Sequence, residues 1–136
     1  MKKVTLSILG LALALFAVLT ESWAQPKLNA QIYELRTYTT HDGLLPKLHA
    51  RFEDHTIHLF VKHGMKLIAF WVPADEDNKL IYVLAFPSAD ERDKSWQAFR
   101  DDPQWQAAYE ASRADGPIVD KIDSVLMFPT EYSPIR

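Results

Sequence analysis

Two consecutive stretches, Lys66–Val72 and Leu80–Phe86, are apolar at nearly every position, and this constrains the fold more than any other feature of the chain. Side chains alternate across a strand, so a sheet with one wet face reads apolar, polar, apolar, polar. These two do not alternate, so both of their faces need cover. The polar run Asp75-Glu76-Asp77-Asn78 between them is turn chemistry, and Pro87 ends the second stretch; together they predict an antiparallel hairpin.

The hairpin is preceded by Ile32-Tyr33-Glu34-Leu35-Arg36-Thr37-Tyr38, a β-branched and aromatic strand with two opposite charges in its middle. Ile32, Glu34, Arg36 and Tyr38 share one face, and Tyr33, Leu35 and Thr37 share the other. After the turn residues Thr39 to Gly43, with Asp42 as the expected cap and Pro46 in the first turn, a helix is predicted to about His63 and stopped by Gly64. Leu44, Leu45, Leu48, Phe52, Leu59 and Phe60 fall on one arc of its wheel, with His55 inside that arc and Lys47, Arg51, Glu53, Asp54 and Val61 at its edges or beyond. Ser88-Ala89-Asp90-Glu91 predicts a capping box for a second helix carrying Trp96 and Phe99. Asp102-Pro103 interrupts that helix and caps a continuation with Trp105, Ala108, Tyr109 and Ser112; Ile118 to Phe128 is the last strand.

The order is β-α-β-β-α-β, an α+β ferredoxin-like unit: a four-stranded antiparallel sheet with two helices on one face. With both helices used, the nearest cover for the second face is another copy of the same sheet, so the expected assembly is a homodimer through sheet faces, a dimeric α/β barrel.

The N-terminus reads as a signal peptide: Lys2 and Lys3, an apolar run from Val4 to Leu19, and small residues Ser22 and Ala24 flanking Trp23. The run is shorter than the roughly 20 residues of a spanning helix. Cleavage after Ala24 is expected, with residues 25–31 a short lead and 32–136 the domain. Membrane contact would then be confined to the uncleaved leader, and the protein would be secreted or periplasmic. The chain has no cysteine, so no disulfide framework supports it outside the cell. A net charge of −3 without a Lys/Arg cluster argues against nucleic acid as a partner.

The run Tyr33 to Tyr38, the helix from Arg51-Phe52-Glu53-Asp54-His55-Thr56 to Lys62-His63-Gly64, and Leu84-Ala85-Phe86-Pro87-Ser88 continued to Arg92 and Trp96 together resemble a NIPSNAP domain. Asp101-Asp102-Pro103-Gln104-Trp105 and Pro129-Thr130 with Tyr132-Ser133-Pro134 extend the resemblance over residues 32–136. It implies a ferredoxin-like unit that pairs into a dimeric barrel. It implies no reaction, because the family has no generally assigned chemistry.

Glu34 and Arg36, two apart on one strand, either form a structural ion pair or reach into a pocket, where Arg36 anchors an anion, Glu34 orients it or acts as a base, and Tyr38 donates its hydroxyl. His55 is either a hydrogen-bonded core histidine or a base or ligand between helix and sheet. Asp54, His55 and His58 have drawable metal spacing, but they diverge around the wheel and no zinc motif supports them, so no metal is expected. Trp71, Tyr82, Trp96, Trp105 and Tyr109 are core aromatics or pocket walls; Trp71 and Tyr82 join Glu34, Arg36, Tyr38 and His55 as candidate ligand-binding residues. With no Gly-rich phosphate loop, G-x-S-x-G elbow or cysteine nucleophile, no cofactor is expected. Two functions fit: a small-ligand-binding or interaction module, or a small cofactor-free oxygenase or isomerase with a pocket at the sheet, with His55 or Glu34 as its catalytic group. The second follows from fold-level analogy.

Overall fold

The computed structural model describes residues 31–135. The expected leader, its cleavage after Ala24 and most of the 25–31 lead lie outside the described residues. Among those described, no helix is long and apolar enough to cross a membrane.

Four strands form one antiparallel sheet: β1 (Ile32–Thr40), β2 (Lys66–Trp71), β3 (Lys79–Phe86) and β4 (Val119–Met127), in the order β2-β3-β1-β4. The helical layer lies on one face. Its first helix runs as α1 (Leu45–Arg51), a π-helical segment (Phe52–Thr56) and α2 (Ile57–Lys62); α3 (Ala89–Asp101) and α4 (Pro103–Ser112) follow β3. This is the α+β four-stranded architecture read from the sequence.

Local chemistry sets most of the boundaries. Ser88 Oγ accepts from the Glu91 N–H at 3.2 Å and starts α3, while the Glu91 carboxylate takes Lys94 at 2.7 Å. Asp102 takes the Gln104 N–H at 2.8 Å and restarts the helix as α4, with Pro103 in the first turn, where a missing N–H costs nothing. Gly64 leaves α2 at φ +79°, the left-handed cap for which glycine is suited. The expected cap Asp42 is corrected: Leu44 occupies the N-cap of α1, without a side-chain bond, because the turn extends two residues further.

Beneath the helices, Ile32 and Tyr38 of β1 pack with Leu80, Tyr82, Leu84 and Phe86 of β3 against Leu48, Phe52, Phe60 and Phe99. Tyr82 is the centre of this core: it is fully buried, stacks on Phe70 at 5.3 Å and meets Phe52 at 5.4 Å. Among the described residues, no helix covers the opposite face. Tyr33, Val83 and Ala85 are buried there beside the partly buried Leu35, Ile68 and Met127, while Trp71 and Val125 remain 51% and 53% exposed.

Candidate functional site

The polar row of β1 points into the helical layer. Register places Glu34 between Leu84 and Leu126, Arg36 between Tyr82 and Ser124, and Tyr38 between Leu80 and Ile122. A carboxylate surrounded this way is stable as an anion only if donors replace its water. Glu34 is 0% exposed and receives five hydrogen bonds. Arg36 donates to Oε1 at 2.7 Å, and Arg92 donates through Nε to Oε2 at 2.8 Å and through Nη2 to Oε1 at 2.9 Å. Trp96 Nε1 donates to Oε2 and Ser124 to Oε1, both at 2.7 Å. One carboxylate thereby ties β1 to itself, to β4 and to α3.

Burial by itself raises the Glu34 pKa, but the bonds from Arg92, Ser124, Trp96 and Arg36 outweigh it and hold the group at about 2, below its ordinary 4.5. A depressed carboxylate pKa contributes stability that is present above the unfolded value and lost as pH falls through the folded one. The wild-type melting temperature is therefore expected to fall steeply between pH 4.5 and 2, and Glu34→Gln to give a flatter profile there. Parallel profiles in thermal denaturation would contradict this.

Arg36 is held from below by Glu34 and lies over the Trp96 ring at 4.5 Å and the Tyr38 ring at 5.5 Å. Its outer edge borders a cleft of about 620 Å³, whose other walls include Arg92, Arg100, Phe99, Trp105 and Tyr109. Phe99, Trp105 and Tyr109 form a continuous run, with centroids 4.4 and 5.4 Å apart. A second chamber of about 370 Å³ shares the Tyr38, Trp105 and Tyr109 rings and is bordered by Arg51, Arg113 and Ile122. Flat rings edged by guanidinium groups can take a planar apolar body bearing negative charge.

The structure thus brings Glu34, Arg36 and Tyr38 together. Tyr82 lies opposite Arg36 on the neighbouring strand, but its ring is core; burial, with Tyr38 adding to it, lifts the hydroxyl pKa well above its ordinary value. Trp71 is corrected: the irregularity between Leu67 and Ala69 leaves it opposite Ile81 on the open face, beside Ile68 and Val83 and away from the cleft.

His55 is also corrected. The Ile57 N–H reaches back to the Phe52 carbonyl, an i→i−5 bond, and this wider turn makes each residue of the segment lag behind the α-helical wheel. Thr56 is buried instead, donating its hydroxyl to the Arg51 carbonyl at 3.1 Å, and His55 is exposed beside Ala108 and Ala111 of α4. Asp54 and His58 meet only through the Asp54 backbone carbonyl, 2.7 Å from His58 Nε2, and no cluster among the described residues has the donors of a metal site.

Sequence reasoning did not assign Arg92, Ser124 or Arg51 to the site. Arg92 and Trp96 are four apart on α3 and so share a face, which was a usable signal. Nothing local marks Ser124 or Arg51. A separate cluster joins Lys62 and His63 to Asp102, each at 2.7 Å, and these bonds hold the Asp102 carboxyl well below the usual range. It locks α2 to the start of α4.

The NIPSNAP family model matches residues 33–134. Among solved structures, a NIPSNAP family protein of unknown function from Agrobacterium tumefaciens has a TM-score of 0.70 at 24% identity, covering 79% of this chain and 96% of its own. A NIPSNAP-like domain protein from Burkholderia xenovorans has a TM-score of 0.69 at 17% identity, with coverage of 78% and 90%. SnoaB, a cofactor-independent oxygenase from Streptomyces nogalater, shares the fold at a TM-score of 0.55 and 14% identity, with coverage of 77% and 98%. No curated protein matches. With most of its length inside the family match, the chain belongs to the NIPSNAP family.

Proposed function

We propose that this chain is an exported, homodimeric small-ligand-binding module whose ligand occupies the cleft between β1 and the α3–α4 pair. The observation that supports this most is the arginine-edged aromatic cleft itself, of a size typical for small-molecule sites. Its floor is fixed in advance. Arg36 and Arg92 are both seated on Glu34, so the wall they present costs little ordering when a ligand arrives.

The fold likeness to SnoaB raises an oxygenase alternative. The groups named for it are poorly suited. An effective general base has a pKa near the working pH, whereas Glu34 is held at about 2 with both oxygens occupied, and His55 lies outside the cleft. Binding without chemistry is accordingly the better account.

Native mass spectrometry of protein purified from its own host tests the assignment. The expected result is a small-molecule adduct on the wild type that is lost in Gln106→Trp, where a bulky ring fills the cleft from an exposed position. Bare mass in the wild type, or an adduct equally retained by the filled variant, would overturn it.

A further inference from the structure

Arg51 is the unusual charge in this molecule. It is 5% exposed, yet among the described residues no carboxylate forms an ion pair with it. Among the described residues its one side-chain hydrogen bond goes to the neutral Ser112 hydroxyl at 3.2 Å, and its Nε has no partner. The guanidinium lies 5.6 Å from the Trp105 ring and 5.4 Å from the Tyr109 ring. These faces soften the cost of burial, but a buried cation normally also has an anion beside it.

The surroundings point the same way. Arg113 donates to the Tyr109 hydroxyl at 3.0 Å and lies over the same ring at 5.0 Å, placing at the chamber wall a second cation that has no ion-pair partner among the described residues. Asp120 borders the chamber but pairs with neither arginine. Burial lowers the Arg51 pKa, opposed in part by Tyr38, Tyr109 and Tyr82, while Arg113 acts in the same direction as burial. The π-helical segment begins at the next residue, a distortion that is frequent at functional sites.

We propose that the ligand of the cleft is a small aryl monocarboxylate whose ring lies along Tyr38, Trp105 and Tyr109, the rings that the cleft shares with the adjoining chamber, and that Arg51, assisted by Arg113, anchors its carboxylate from that chamber. The guanidinium fork matches a carboxylate in shape, and one negative charge balances the buried cation. With Asp120 also at the chamber wall and Lys121 paired to Asp123, the two arginines leave one positive charge to balance, and a phosphate dianion would bring one negative charge too many. The assignment rests on the ligand-binding role given to the cleft and specifies the chemistry of its occupant.

Titration calorimetry with benzoate, benzamide and inorganic phosphate tests it, with 3-phenylpropionate as the longer probe. Benzoate or 3-phenylpropionate is expected to bind and to raise the melting temperature, with benzamide and phosphate at least tenfold weaker. Arg51→Gln is expected to weaken the carboxylate by about ten- to a hundredfold and to leave benzamide unchanged. Arg113→Gln, at a partly exposed position that puts folding at little risk, is expected to weaken it by a smaller factor.

Equal binding of benzamide and benzoate, or unaltered benzoate affinity in both variants, would overturn the anchor while leaving the cleft assignment intact. Tighter binding of phosphate would also overturn it. If no probe binds, the aryl carboxylate is wrong, and the cleft stands or falls on the mass of the host-purified protein. If Arg51→Gln does not fold, Arg113→Gln and the benzoate-to-benzamide ratio still decide.

Discussion

Replacing Glu34 with alanine is expected to lower the melting temperature by roughly 10–20 °C, the largest effect of any single substitution at the site. The substitution leaves Arg36 beside an apolar void, and it strands the Trp96 N–H and the Ser124 hydroxyl, which both use the same carboxylate. Removing one partner from a buried charge network costs about 3–5 kcal/mol, far more than the intact network contributes over an apolar replacement. Arg36→Ala should cost less, because Glu34 keeps Arg92. Replacing Glu34 and Arg36 together by apolar residues should recover only part of the loss, because Arg92, Trp96 and Ser124 still face the vacated position. Thermal and urea denaturation of the single and double variants would measure this. A Glu34→Ala protein melting within a few degrees of the wild type would mean that the network does not hold β4 and α3 to the sheet.

Val125→Asp is expected to convert the proposed dimer to monomer at micromolar concentration while leaving the subunit folded. Val125 lies opposite Leu35 on the open face and is 53% exposed, so the new charge meets water in the isolated subunit. In a face-to-face pair of sheets the same charge would be buried without a partner, which such an interface does not tolerate. Val83→Asp, at a position already buried within the subunit, should damage the fold as well. Sedimentation of the wild type as a monomer would remove the basis of the barrel assembly, and an undisturbed dimer in Val125→Asp would place the interface elsewhere.

The period-2 pattern of β1 was enough to put Glu34, Arg36 and Tyr38 on one face, and the unbroken apolar runs were enough to demand cover on both sides of the hairpin. These signals are local, carried within seven or eight residues. The partners that give Glu34 its character are not: Arg92 lies 58 positions away and Ser124 lies 90 away. They meet it because β4 pairs with β1 and because α3, packed on β3, carries Arg92 to Glu34, and no spacing rule encodes that. His55 was misplaced for another reason. A wheel assumes one rotation per residue along the whole helix, and the five-residue π segment that holds His55 breaks that assumption.

That segment also affects how this chain should be compared with its relatives. A π turn accommodates one residue more than the α turn it replaces, so a homologue with an unbroken helix would have one residue fewer between the counterparts of Leu48 and Phe60. A gap-free alignment across this region would pair the wrong positions on one side of it. Arg51 would then appear to vary when it had only been displaced by one column. Comparison across the family should therefore begin by asking which members carry the π turn, so that the counterpart of Arg51 is read from the right column.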